Sequence, residues 1–372
     1  MARFAASFTL ADWRNRVLGS ARFREIAQKL PFFQQFARAQ ANDLFALCGG
    51  FIHSQILAAC VQLELFERLK SGPERIDALC VELSLPPGRA RHLFSAAAAL
   101  ELLECRPDDK VALGRHGAAL IDNPGVLAMV RHHALLYEDL LRPVDLFRGP
   151  PTGTNMAKLW AYAGSPDGGD VDASAAREYS ELMAVSQAML AGQILDAVPL
   201  KAYRSLLDIG GGVGAFSMAA AKRWPNLDVA LADLPPVAAL AREAVKRAGL
   251  ENRIDVFAAD ATAGPLPDGF DLVSLIRILH DHDDDRVMAL LASAHRALRR
   301  GGTLLVAEPM AGKGRSGRLV SAYFQIYLLA MGSGQPRTPG RLAEMLHSAG
   351  FRRVRRRRTQ VPMIAGVLLA TR

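Results

Sequence analysis

Leu206-Leu207-Asp208-Ile209-Gly210-Gly211-Gly212-Val213-Gly214 is the stretch on which the reading of this chain turns. Leu206, Leu207 and Ile209 form a short apolar run of the kind that makes a buried parallel strand. Gly210, Gly211, Gly212 and Gly214 then break it. Without Cβ atoms they let the backbone turn sharply and a ligand lie against it. From Ala215 to Lys222 the pattern resumes at helical spacing. A strand, a glycine turn and a helix in that order are the first unit of a nucleotide-binding α/β sheet.

Two cofactors fit these glycines. Gly210-x-Gly212-x-x-Ala215 matches the relaxed dinucleotide fingerprint, with a pyrophosphate on the helix N-terminus. Asp208-x-Gly210-x-Gly212-x-Gly214 matches the S-adenosylmethionine pattern, in which an acid near the strand end faces a cationic amino-acid tail. The glycines alone do not decide between them.

The chain beyond them does. Strands are predicted at Asp228–Asp233, Arg253–Asp260, Phe270–Ile276 and Gly302–Glu308, with helices over 236–248 and 284–298 between them. A helix over 338–350 and strands over 354–361 and 365–371 follow. Short connections between alternating elements imply a right-handed, mainly parallel sheet with ligands at the carboxyl ends of its strands. Asp233 ends the second strand about 20 residues past the glycine turn, where an acid accepts ribose hydroxyls. Asp260 ends the third, within reach of an adenine amino group. A nicotinamide enzyme has no need of this third acid, so it favours S-adenosylmethionine. Leu234, Ala261 and Arg277, beside these strand ends, complete the expected cofactor-binding set.

After the fourth strand comes Arg277-Ile278-Leu279-His280-Asp281-His282-Asp283. An imidazole at a strand's carboxyl end is placed for general-base work near neutral pH. Asp281 is read as holding substrate or tuning that base. Glu308, ending the fifth strand, is read as accepting from the other ring nitrogen of His280 and fixing its tautomer. The His280, Asp281, His282, Asp283 cluster matches no closed zinc spacing. Asp283–Asp285 reads more simply as the cap and acidic first turn of the next helix, so no metal is expected.

The chain has 372 residues, half of them hydrophobic, which predicts two domains: a mostly helical one over 1–175 and a cofactor-binding one over 176–372. Cys48, Cys60, Cys80 and Cys105 show no metal or redox spacing and read as buried thiols in a reducing compartment. The first residues lack the apolar core of a signal peptide, and no stretch approaches 18 uninterrupted apolar residues, so a cytoplasmic chain without a membrane span is expected. Residues 1–45 are basic and aromatic, split by Pro31, and suited to packing on another surface such as a second subunit. Residues 50–115 read as three helices (52–69, 76–83, 89–102) and a small hairpin, a winged-helix pattern. Arg89, Arg91 and His92 raise DNA binding. The core-like run Phe94-Ser95-Ala96-Ala97-Ala98-Ala99-Leu100 argues against it, so a dimerisation module is expected and no nucleic-acid partner. Residues 149–172 read as a hinge or lid, and 179–195 as a Met-rich helix.

These stretches together resemble the plant and bacterial small-molecule O-methyltransferases that use S-adenosylmethionine. The matching residues are Leu207–Gly214, Asp233-Leu234-Pro235, Asp260, Leu279-His280-Asp281, Arg300–Glu308 and Arg337-Thr338. The resemblance implies a class I methyltransferase fold, a Rossmann-like seven-stranded sheet behind a winged-helix-like dimerisation domain that caps the substrate cavity. It is closer to the carotenoid O-methyltransferases of purple bacteria, through Ser186–Gln193, His280–Asp284, Ala307–Gly312 and Tyr323–Thr338. A hydroxylated carotenoid of the hydroxyneurosporene or demethylspheroidene type is the implied acceptor, with a tetrapyrrole, polyketide or phenolic substrate as alternatives and a winged-helix ligand-sensing regulator as the different class. Two departures stand out. His282 replaces the family's usual Trp. Pro336 replaces a second Glu, so support for His280 is expected from Glu308 alone. Met183, Met189, Tyr323, Phe324, Tyr327, Leu328 and Met331 are candidates to line a long apolar cavity. The net charge is +8, and six arginines stand within Arg352–Arg358. That run reads either as a charged edge strand that discourages aggregation or as a contact for an anionic membrane surface.

Overall fold

The computed structural model describes residues 9–23, 29, 31–149, 153–158, 187, 189–360 and 365–372, with the backbone alone at 31–33. The expected lid over 149–172, the first part of the helix over 179–195, Met183, Ser186 and the end of the strand expected at 354–361 lie largely or wholly outside the described residues. The chain divides into two compact units, Met1–Ile121 and Asp122–Arg372. The division therefore falls at 121 rather than 175, because the helix Pro124–Asp139 packs on Arg315–Met331 of the second unit: Leu136 shares a core with Val320, Tyr327 and Leu328.

In the first unit, the helix Leu10–Leu18 carries a reciprocal cap between Thr9 and Asp12. The next helix runs unbroken from Pro31 to Gln62. A separate helix starting at Ile52 was expected. Gly49 and Gly50 each cost about 1 kcal/mol in a helix interior, but the Leu, Ala and Ile residues on either side carry the helix through them. Its Gln34–Gln62 portion is long and apolar enough to cross a membrane by length and composition. This revises the expectation that no segment is. His53, Ser54 and Gln55 interrupt the apolar run. Leu44, Phe45, Leu47 and Phe51 on this helix are exposed. Short helices at Ile76–Glu82 and Pro87–Ala99 and a three-stranded antiparallel sheet complete the unit, with β1 (Glu74–Arg75) and β2 (Leu103–Arg106) flanking β3 (Lys110–Leu113). Arg91, a candidate base reader, is instead paired with Asp109 across the hairpin at 2.8 Å.

The second unit holds a seven-stranded sheet. Its strands are β4 (Ser205–Ile209), β5 (Asp228–Asp233), β6 (Ile254–Ala258), β7 (Phe270–Ile276), β8 (Leu298–Glu308), β9 (Arg352–Arg357) and β10 (Gly366–Thr371). The order is β6-β5-β4-β7-β8-β10-β9. The first five are parallel, and β10 and β9 close the edge antiparallel. Alternate residues feed two cores. Leu207, Ile209, Val273 and Leu275 meet the helices Asp284–Ala297 and Pro339–Ser348 on one face. Leu206, Leu231, Leu272 and Ile276 meet Ala215–Arg223, Pro235–Arg247 and residues 189–197 on the other. β8 starts four residues before the expected Gly302, through a register shift against β7 between Phe270 and Leu272. The chain leaves β4 outward to β5 and β6, then returns to β7 on its other side. β4 and β7 thus flank the point where strand order reverses, where such sheets bind ligands.

Candidate active site

At the end of β4 the chain turns through Gly210–Gly214 into the helix Ala215–Arg223. Gly210 has φ +67°, and a Cβ there would collide with the side chain of Ile278. Only glycine meets both conditions. Asp208 is fully buried, and its two oxygens accept from Ser274 Oγ at 2.6 Å and Ser217 Oγ at 2.8 Å. Burial pushes its carboxyl up to about 6, against the pull of those serines. Asp208 therefore braces β4 against β7 and the following helix. The expectation that it faces a cationic tail is corrected: both oxygens point inward.

Asp233 reaches back from β5 to the glycine loop. It accepts from Gly212 N–H at 2.8 Å and Leu234 N–H at 2.7 Å, and burial pushes it up to about 6. A carboxylate has about four lone-pair positions, so two remain for a pair of hydroxyls. Asp260 accepts at one oxygen from the N–H and hydroxyl of Thr262, at 2.8 and 2.7 Å. Its other oxygen makes no hydrogen bond among the described residues. Ala261 is buried beside it. The ends of β4, β5 and β6 thus bring Asp208, Gly210, Gly212, Gly214, Asp233, Leu234, Asp260 and Ala261 to one rim. An open glycine loop, one spare lone pair on each oxygen of Asp233 and a whole oxygen of Asp260 fit a nucleoside bearing hydroxyls and an amino group. Arg277, expected with this set, is instead on the wall of an apolar cavity. It adopts φ +55° at the end of β7, where its N–H donates to Ala307 O at 2.8 Å.

His280 lies in a short turn, Leu279–Asp281, directly after β7 and is 4% exposed. Its Nδ1 is 2.6 Å from Glu308 Oε2. The other oxygen of Glu308 accepts from the N–H groups of Ile278 and Leu279, at 3.0 and 2.7 Å, so the carboxylate fixes both the ring and the turn that carries it. Its Nε2 is 3.1 Å from Asp281 Oδ1. The expectation that support falls on Glu308 alone is therefore corrected. Where Pro336 stands in place of a second Glu, the second carboxylate comes from the neighbouring residue in the chain. Asp281 is pushed up to about 6 by burial first, with the charges of His280 and Arg277 opposing and that of Glu308 adding. His282, where the family usually has Trp, is pushed down to about 4 by burial and by Arg286.

Arg337 was matched as part of a motif without a role. It is 4% exposed, and its guanidinium donates to Leu279 O at 2.6 Å, His282 O at 2.8 Å and Asp284 Oδ1 at 2.7 Å. Nearby, Gln335 N–H donates to His280 O and Ser333 Oγ to Asp281 O. The segment 333–338 thus grips the turn that carries the imidazole. Among the described residues no group of three His, Cys, Asp or Glu side chains is arranged to hold a metal ion.

Beside this turn is a cavity of about 400 Å³ with an almost wholly apolar wall. Of the candidates to line it, Met189, Tyr323 and Phe324 do, joined by Met129, Val130 and Leu319. Tyr327, Leu328 and Met331 are buried in the core behind it instead. Two histidine–tyrosine pairs lie at the wall: His133 Nε2 is 2.7 Å from Tyr323 Oη, and His132 Nε2 is 3.0 Å from Tyr327 Oη. Burial pushes His132 down to about 4 and lowers His133 as well, so both rings are neutral at pH 7. The histidine pair was missed because adjacent histidines on a helix carry no motif. Phe324 meets His280 edge-to-face at 5.6 Å.

A strand-order reversal carrying a glycine loop, carboxylates with spare acceptors and a buried, doubly supported imidazole beside an apolar cavity describes a nucleoside-dependent transferase site. Comparison with known proteins agrees. A model of the O-methyltransferase domain matches residues 162–352. The chain is 38% identical over 357 residues to the demethylspheroidene O-methyltransferase of Cereibacter sphaeroides, covering 96% of this chain and 94% of that one. It is 37% identical to the Rhodobacter capsulatus protein of the same name, covering 96% and 88%. Among solved structures, the fold is similar to human N-acetylserotonin methyltransferase in complex with SAM, with a TM-score of 0.71 at 22% identity over 90% of this chain and 97% of that one. With the matched domain spanning the five parallel strands and these relatives matching nearly the whole chain, the protein belongs to the O-methyltransferase family.

Proposed function

We propose that this enzyme transfers a methyl group from S-adenosylmethionine to the hydroxyl of a carotenoid, of the demethylspheroidene or hydroxyneurosporene type. The observation that carries this reading is Phe324, which lines the apolar cavity and lies edge-on to His280. The relatives' names support the acceptor. At the ~30 Å³ that a water-sized group occupies in a liquid, the cavity takes roughly a dozen such groups. That suits one hydroxylated end of a polyene and not its full length. The bound donor supplies a methyl group already electrophilic on a sulfonium.

The chain's own task is alignment and proton removal. Glu308 holds Nδ1–H, so Nε2 is the face that accepts. Without substrate, Asp281 sits at that nitrogen. The substrate hydroxyl takes its place, Nε2 receives the hydroxyl proton, and ionised Asp281 stabilises the imidazolium that forms. A tertiary alcohol is too weak an acid to be ionised beforehand, so proton removal accompanies oxygen attack. With donor saturating, kcat should rise through about pH 6 as Asp281 loses its proton. Asp281→Asn should lower kcat roughly 10- to 100-fold and erase that limb of the pH profile. A limb that survives in the variant would assign it to another group.

Incubation with labelled S-adenosylmethionine and a hydroxylated carotenoid tests the reaction directly. A labelled methyl ether supports the reading, and its absence across carotenoid alcohols with turnover of a phenolic acceptor would replace it. The exposed apolar residues of the helix Pro31–Gln62 further support a homodimer, which light scattering of the purified chain would reveal. A cytoplasmic site, with peripheral contact on a membrane, is the matching location for an acceptor that dissolves in lipid.

A further inference from the structure

The run Arg352–Arg358 has no part in the site described above. It forms β9, the outermost strand, paired on one side only with β10. Arg352, Arg353, Arg355, Arg356, Arg357 and Arg358 are all exposed, and none makes a side-chain hydrogen bond or ion pair among the described residues. Val354 alone turns inward, against the core under the helix Pro339–Ser348. The register with β10 shifts between Leu369 and Thr371, beside Arg353, whose φ is +51°. Such a bulge re-aims side chains along an edge. Charge on an edge discourages strand pairing, and this strand carries five arginines over a length of ~20 Å.

Direction matters as well. β10 is antiparallel to β8, and β9 is antiparallel to β10, so β9 runs the same way as β8. Gly366 is opposite Glu308, and Val367 is opposite Arg357. The arginine end of β9 therefore reaches the same rim of the sheet as Glu308, two strand spacings away, or ~10 Å. The cavity on that rim has room for one end of a long apolar acceptor. The rest of such a molecule needs apolar surroundings that water does not provide.

We propose that Arg352–Arg358 dock the enzyme on an anionic lipid bilayer, setting the catalytic rim against the surface from which the acceptor's end enters. This rests on the carotenoid reading for the identity of the acceptor, while the docking itself is measured independently of it. Guanidinium groups on an exposed edge meet lipid phosphates and are screened by salt.

Sedimentation of the full chain with vesicles of phosphatidylcholine, with or without phosphatidylglycerol, tests the proposal. Binding is expected only with the anionic lipid and should weaken steeply as salt is raised. Each arginine changed to glutamine should cost roughly fivefold in vesicle affinity, so the combined Arg353→Gln, Arg355→Gln, Arg356→Gln, Arg357→Gln variant should lose binding. The corresponding four Arg→Lys changes should retain it. Turnover of an acceptor in detergent micelles should be unchanged in the glutamine variant, while turnover of the same acceptor in anionic vesicles falls. Equal binding to neutral vesicles, retained binding by a folded glutamine variant, or tighter binding to a DNA duplex than to anionic vesicles would overturn the proposal. If the glutamine variant does not fold, the lysine variant and the salt series decide. Absence of methyl transfer in micelles would instead defeat the carotenoid reading and leave the vesicle result standing.

Discussion

His280→Gln should lower kcat by on the order of 10²–10⁴-fold while leaving the affinity for S-adenosylmethionine unchanged. The expected size follows from what the imidazole does. Glu308 holds its Nδ1 at 2.6 Å, which leaves Nε2 as the nitrogen that takes the proton. Glutamine keeps an amide to donate to Glu308, so the Ile278 and Leu279 N–H groups keep their acceptor and the turn persists. What it lacks is a basic nitrogen where Nε2 stood. The contacts proposed for the donor are on the ends of β4, β5 and β6, on other residues. Isothermal titration with the donor and steady-state turnover separate the two effects. Turnover that survives the substitution would remove His280 from the chemistry.

Arg337→Leu should be the most destabilising single change near the site. Its guanidinium is buried at 4% exposure and bridges two backbone carbonyls and the Asp284 carboxylate. Arg341 and Arg337 together hold Asp284 below the usual carboxylate range. Leucine fills the volume but leaves Leu279 O and His282 O without a donor. Removing one partner of such a buried network costs about 3 kcal/mol. Across the 372 residues of the chain that lowers Tm by about 4 °C. Because the lost bonds hold both ends of the turn around His280, kcat should fall along with stability, with donor affinity changing less. Calorimetry and kinetics on the same preparation check both. An unchanged Tm would mean that the segment 333–338 does not hold the turn.

The sheet was legible because its five parallel strands are short apolar runs punctuated by glycine or aspartate. Asp228–Asp233 and Phe270–Ile276 match residue for residue. The register shift that lengthens β8 was not legible, since it depends on how β7 pairs through Leu272. The unbroken helix from Pro31 to Gln62 was hidden by Gly49 and Gly50, which mark a break in most helices. Within the site, the residues themselves were visible and their hydrogen bonds were not. Asp208 reads as a ligand contact by spacing, but Ser217 and Ser274, nine and sixty-six residues away, claim both its oxygens. Asp281 reads as a substrate holder, but the tight turn Leu279–Asp281 folds its carboxylate back onto the ring beside it. Arg337 had a place in a motif and no function until its partners, more than fifty residues earlier, came into contact.

The helix Arg315–Met331 presents Tyr323 and Phe324 to the cavity, and Phe324 also lies edge-on to His280. Selecting for a bulkier or thinner guest at position 324 therefore disturbs the proton acceptor in the same stroke. Leu319 also lines the cavity and lies outside the core that Val320 shares with Phe324. Drift toward new acceptors, in a laboratory or over generations, has its open road at Leu319 and its toll gate at Phe324.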